Sequence, residues 1–246
     1  MKSAQKQYTD EVRKRFGGYY ATWTPDVPLK LGDVGILENN IFKRMDNLNN
    51  LGLTFEIIED QTKASLEYSS KNSVKLTNKI AGDAVPQGSM LKISDTGIIV
   101  EFSREKAVLF KLNNVTSSYI DKLSALGDDI LDRYNNNQWK KEWVVITELK
   151  KAESATIIIS NSKDSKIELK ANANIGITDL DIANTSFNFS VQNPNNADMK
   201  IIAQEGLTPL FQLMGITKKG SSTEITILNQ DYSFELITGE DFSGTE

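Results

Sequence analysis

The sequence predicts an α+β fold: a twisted, mainly antiparallel sheet with an N-terminal amphipathic helix and one longer central helix. Three observations carry this. From about residue 66 the apolar period is two rather than 3.6. Helical stripes are confined to 3–16 and 118–135. Strands do not alternate with helices, which argues against a doubly wound parallel sheet. At 246 residues the chain is long enough for one large domain, or one domain with a small appendage.

Taken in order, Ala4, Tyr8, Val12 and Phe16 recur every fourth residue, and Gly17-Gly18 ends that helix. Residues 19–58 read as irregular, with Leu29-Lys30-Leu31 a short strand and Gly32-Asp33-Val34-Gly35 a tight turn. Strands are expected at 66–70, 73–81, 97–102 and 106–111. A helix follows at 118–135, with Ser118 and Asp121 as a capping-box start and Ile120, Leu123, Gly127, Ile130, Leu131 and Tyr134 as its buried face. Trp139 and Trp143 read as core anchors at a chain corner. Further strands are expected at 143–151, 154–160, 165–171, 186–192, 199–204, 208–214, 224–229 and 232–238. Residues 154–160 and 165–171 are expected to form a hairpin, in which Lys166, Glu168 and Lys170 face water and Ile167, Leu169 and Ala171 face the core.

The chain contains no Cys and no His. Disulfides, thiolate or imidazole metal sites, a Cys nucleophile, a Ser-His-Asp triad and S-palmitoylation are therefore excluded. The expectation is a protein that is not an enzyme and needs no cofactor. A hydrolase reading stays open at Glu148, a carboxylate beside the apolar run Trp143–Ile146. The net charge of −5 and a pI near 5.1 speak against nucleic acid as a partner. No signal-like or membrane-spanning apolar run is visible, and a cytoplasmic location is expected.

Charge is unevenly placed. Lys2, Lys6, Arg13, Lys14 and Arg15 against Asp10 and Glu11 give the first helix a net +3. Residues 223–246 hold Glu224, Asp231, Glu235, Glu240, Asp241 and Glu246 without a Lys or Arg, a net of −6, so residues 1–222 alone carry −5 + 6 = +1. The helix either docks on the core or also meets an anionic surface. The acidic segment is either a separable piece, with Ile225, Ile227, Tyr232, Phe234 and Leu236 docked on the body, or the last hairpin of a single domain 1–246. Lys218 and Lys219, in the glycine-flanked stretch 215–222, are the candidate cleavage points.

The run Trp143-Val144-Val145-Ile146-Thr147-Glu148-Leu149, leading into Lys150-Lys151-Ala152-Glu153-Ser154-Ala155-Thr156, resembles the gasdermin pore-forming domain, in particular the compact bacterial members. The order of a basic N-terminal helix, strands, a central helix, a second hairpin and an acidic tail is similar too. The resemblance implies an autoinhibited effector of bacterial immunity or cell death. Proteolysis would activate it, its partners being a protease, anionic membrane lipid and other copies of itself, and the protein would move from cytoplasm to membrane. It implies that two hairpin regions, 66–81 with 97–111 and 143–151 with 154–171, lengthen into membrane-spanning strands. A soluble α+β interaction or ligand-binding domain is the alternative.

Overall fold

The structure is a computed structural model that describes residues 4–23, 28–70, 72–171, 189–194, 199–218 and 232–236. Its elements in order are α1 (Ala4–Arg15), β1 (Tyr20–Ala21), β2 (Asp33–Glu38), β3 (Ile41–Asn47), β4 (Ile57–Ser69), β5 (Val74–Lys79), β6 (Gly97–Phe102) and β7 (Val108–Ile120). They continue with α2 (Leu123–Asn135), β8 (Val144–Ser160), β9 (Ser165–Ala171), β10 (Phe189–Gln192), β11 (Met199–Lys218) and β12 (Tyr232–Leu236). This is the α+β, mainly antiparallel class that the period-two pattern predicts. The larger sheet runs β1-β11-β8-β2-β3, with β7 also on β8, β4 on β7 and β12 on β11; the smaller runs β10-β9-β6-β5.

The chain divides into two compact units: Met1–Glu11, Thr62–Val115 and Lys151–Leu207 form one, and Val12–Gln61, Thr116–Lys150 and Thr208–Glu246 the other. In the first, the smaller sheet packs on the larger. Ile98, Val100 and Phe102 from β6 and Ile167, Leu169 and Ala171 from β9 meet Ala107, Leu109 and Ile158 in one core. Each fully buried side chain of this size contributes about 1.5–3 kcal/mol. Helix α1 gives Tyr8 to this unit, with no exposed surface and a ring 6.4 Å from that of Phe110.

Two expectations fail in this unit. Residues 154–160 and 165–171 are not a hairpin: the first stretch ends β8 in the larger sheet, while β9 pairs β6 and β10 in the smaller. Every residue from Ser154 to Ser160 is buried, so this stretch lacks the wet face that a lone hairpin would need. Nor does the polar face of β9 lie wholly in water: Lys166 and Lys170 are half-buried. Glu168 has no exposed surface, because segment 80–96 lies over it and donates the backbone N–H groups of Met90 and Leu91 to its Oε2 at 2.8 and 3.3 Å.

The second unit is built on α2. Leu126 and Ile130 are buried with Trp139, Val144, Ile146, Phe211 and Leu213, and Leu123, Leu131 and Tyr134 pack against them. The Trp139 and Trp143 rings meet edge to face at 5.2 Å, the expected corner anchor. The capping-box start is overturned: β7 runs on through Ser118 to Ile120, and Lys122 precedes the helix with φ 52° and no side-chain cap. Ser118 and Ile120 are both buried in that strand, which outweighs the local capping pattern.

Residues 19–58 hold more structure than their irregular pattern predicts. β2 and β3 form a hairpin whose turn residues Asn39 and Asn40 have φ 52° and 61°, the conformation an Asn pair tolerates. Leu29-Lys30-Leu31 is not a strand, and only Gly32 of the Gly-Asp-Val-Gly run sits in a turn. Gly35 lies inside β2, where a Cβ would come 2.2 Å from the Lys43 carbonyl oxygen. Two expected breaks are also absent: 143–151 with 154–160, and 199–204 with 208–214, are the continuous strands β8 and β11.

Candidate functional site

In the first unit the chain four times runs from a long strand of the larger sheet to a strand of the smaller one, or back. The pairs are β4 with β5, β6 with β7, β8 with β9 and β10 with β11. Neighbours match as well. β4-β7-β8-β11 are hydrogen-bonded in that order in one sheet, and β5-β6-β9-β10 in the other. A single four-stranded antiparallel sheet, folded over along one line, has this connectivity.

The geometry at the fold line is specific. In the smaller sheet β6 and β9 pair from Gly97 opposite Lys170 to Phe102 opposite Ser165. Beyond the corner, Ser160 N donates to the Ala107 carbonyl at 2.9 Å, and the Ser160 carbonyl accepts from Lys106 N. Each strand spends the same length on the corner, 103–106 on one and 161–164 on the other, so the pairing resumes in the register it left. Lys106 and Asp164, one on each strand, take positive φ (61° and 52°), and Asn72 does so at the β4–β5 corner (56°). These local left-handed residues set the bend. The Ser160 and Ser165 hydroxyls touch across the β8–β9 corner, both buried.

Residue faces change at this line. The core takes Ile98, Val100 and Phe102, even positions, from β6 but odd positions beyond the corner, Ala107 just before β7 and Leu109 within it. Phe110, on the opposite face of β7, meets Tyr8 of α1. Straightened, the strand would instead carry Ile98, Val100, Phe102, Val108, Phe110 and Leu112 on one face, with Arg104 and Lys106 between them. Its other face would hold Glu101, Ser103, Glu105 and Lys111 along with Ile99, Ala107 and Leu109. The partner strand behaves alike: Ala155, Ile157, Ile159, Ile167, Leu169 and Ala171 share one face with Asn161, Lys163 and Ser165 between them, and Ile158, Ser160, Ser162, Asp164, Lys166, Glu168 and Lys170 share the other.

No family model matches the chain, and no curated protein matches it. Among solved structures, one that it resembles is the cryo-EM structure of the gasdermin A3 membrane pore, at a TM-score of 0.39 and 8% identity. The likeness covers 98% of this chain and 97% of that one. No described helix is long and apolar enough to cross a membrane.

The residues singled out in the sequence fall in several places. Of the basic helix residues, Lys14 and Arg15 are exposed and Lys6 is half-buried, while Lys2 lies outside the described residues. Arg13 stacks its guanidinium 4.0 Å from the centre of the Tyr20 ring, so it is a packing residue as well as a charge. Lys218 ends β11 opposite Tyr232, with Phe234 opposite Ile216 and Leu236 opposite Met214, so β12 is the hydrogen-bonded neighbour of β11. It also runs beside α2. Lys219, Ile225 and Ile227 lie outside the described residues.

Glu148 sits half-buried in the second unit. Its Oε1 accepts from the Tyr19 hydroxyl at 2.5 Å and lies 2.9 Å from Lys150 Nζ, which also donates to Ser117 Oγ at 2.7 Å. Burial, then the hydrogen bond and charge of Glu148, hold the Tyr19 hydroxyl above the usual phenol range. The carboxylate here is engaged as an acceptor by two donors, an arrangement that ties β8 to the segment after α1. Sequence reasoning missed the fold line itself. Its trace is partial: the same parity of apolar residues, even at 98–102 and 108–112 and odd at 155–159 and 167–171, returns on either side of the polar stretches 103–106 and 160–166.

Proposed function

We propose that this chain is a pore-forming effector of the gasdermin type, which acts without catalysis and without a cofactor. In this reading it waits in the cytoplasm, is activated by proteolysis, and enters membranes as an oligomer in bacterial immunity or cell death. The observation that carries it is the folded-over sheet with its matched corner. Straightening the four corners yields two antiparallel hairpins, 57–79 with 97–120 and 144–171 with 189–218. Each arm exceeds the roughly 9–11 residues that a tilted strand needs to span a bilayer. Over 98–112 and 155–171 one face is then apolar except at the fold line, where Arg104, Lys106 and Lys163 fall, and the other carries most of the charge, the pattern of a strand between lipid and a water-filled lumen. The basic α1 supplies an anionic-lipid contact, and the acidic end of the chain offsets that charge until it is cut away.

The Cys-free chain makes the test direct. Ser160→Cys with Ser165→Cys would create one disulfide pair across the β8–β9 corner. Five residues of straight strand span about 16 Å, against at most roughly 7 Å between disulfide-bonded Cα atoms. The doubly substituted protein, cut within 219–231 and added to anionic vesicles, is expected to release trapped dye only after reduction. Equal release in oxidised and reduced states overturns the straightening of this corner. No release from any form, cut or uncut, favours the soluble interaction domain.

A further inference from the structure

Segment 80–96, which links β5 to β6, buries Leu91 but leaves three large apolar side chains in water. Ile80, Met90 and Ile93 point outward with 60, 55 and 63% of their surface exposed. Beside Leu91, the groups the segment covers are charged ones of the strands beneath, Lys79 at the end of β5 and Glu168 in β9. Lys79, 3% exposed, donates its ammonium to the carbonyls of Ile80, Ile93 and Asp95 at 3.4, 3.2 and 2.8 Å, one acceptor for each of its three protons. Glu168, fully buried, accepts from Met90 N and Leu91 N through Oε2, and its Oε1 lies 3.2 Å from Lys166 Nζ. Asp95 caps the end of the segment, accepting from Lys92 N at 2.8 Å and pairing with Lys170 at 2.9 Å.

An ordinary covering loop puts its apolar side chains inward and is held by their burial. This one has Leu91 as its buried apolar side chain and closes otherwise over buried charges, whose desolvation offsets much of what their contacts gain. Opening would return those charges to water at the cost of exposing Leu91, while Ile80, Met90 and Ile93, already in water, favour any hydrocarbon the opened segment meets. We propose that Lys79 and Glu168 form a latch, which keeps segment 80–96 closed over β5, β6 and β9 in water and releases it as a unit. Its role as the gate of the first hairpin rests on the pore-forming reading; its existence does not.

Hydrogen exchange on the full chain tests the latch without a membrane. Lys79→Met removes the ammonium while keeping the length of the side chain, and Glu168→Gln removes the charge of the acceptor. Each is expected to speed exchange of the amides in 80–96 by about tenfold or more, the effect of losing a charge-assisted contact, while the β6 and β9 ladder amides keep their protection. Should Lys79→Met lose its native circular dichroism, Glu168→Gln carries the test. Unchanged exchange in the folded variants overturns the latch. Dye release from vesicles of phosphatidylglycerol and phosphatidylethanolamine then separates the two ideas. Faster exchange with faster release supports both, and faster exchange with no release from parent or variant keeps the latch while removing the pore-forming reading.

Discussion

Tyr8 is fully buried in the first unit, and that burial holds its hydroxyl well above the usual phenol range. An unfolded Tyr loses its proton near pH 10. Below that pH both states stay protonated and the group adds no pH dependence. Above it the unfolded chain gives up a proton that the folded chain keeps, so stability falls as pH rises, by up to about 1.4 kcal/mol per unit. Tyr8→Phe is expected to leave the urea midpoint at pH 7.5 nearly unchanged and to flatten its decline between pH 10 and 11.5. An undiminished decline in the variant would assign the alkaline loss to other residues. Single residues were unevenly legible in the sequence. Tyr8 declared itself by its helical spacing. Glu168 read as solvent-facing because strand alternation reports the two faces of a strand and not what later covers them; only the return of segment 80–96 made that position buried.

Helix α1 was legible to within a residue at each end because its stripe, the glycine pair after it and its charge all agree. Its structure also refines which charges to test. Arg13 packs on Tyr20, so reversing it would disturb the fold as well as the charge. Lys14 and Arg15 are exposed and basic in the last turn, where cations also complement the helix dipole. At about 1 kcal/mol per basic residue near an anionic surface, Lys14→Glu with Arg15→Glu is expected to weaken binding of the cut protein to anionic vesicles at least tenfold. Cosedimentation at two salt concentrations measures it, and equal, salt-insensitive binding would leave α1 a packing element alone. The strands were legible in kind but not in length. Lys150, Lys151 and Glu153 looked like a break within β8, yet they contain no glycine or proline, and Ala152 between them is buried. Within β11 a break is expected at 205–207, where Gly206 lies. Just past it the Pro209 carbonyl, which needs no N–H of its own, accepts from Thr22 N at 2.9 Å, and the strand continues.

At the scale of the whole molecule, the fold class follows from the sequence, whereas the folding-over of one sheet does not. Corners are made by non-local packing, and Asn72, Lys106 and Asp164 take left-handed backbone without a glycine to announce it. The C-terminal segment is where charge and packing meet. β12 is bonded to β11 through Met214–Lys218, so a cut placed within β11 would break a ladder, whereas one within 219–231 leaves both strands whole. Loss of residues 223–246 would move the chain from −5 to +1 and uncover β11, favouring association with anionic lipid and with other copies. A specific protease site placed after Lys219 is expected to yield vesicle leakage with strand content retained by circular dichroism. Unfolding or aggregation without leakage would mean that β12 is structural and that removing it destroys the fold.

The equal lengths of chain at the β6–β7 and β8–β9 corner bear on what a hydrocarbon solvent tolerates. Lipid offers no water to an unpaired N–H or C=O, so a ribbon entering it must satisfy every backbone group itself. Here the ladder from Gly97 opposite Lys170 already counts in step with Ser160 opposite Ala107. Residues 103–106 and 161–164, on being drawn straight, find their partners opposite without any strand sliding past its neighbour. In the proposed straightening the backbone would thus close the gap in a zip, and in water that gap is held open by apolar burial together with the buried polar contacts of Ser160, Lys79 and Glu168.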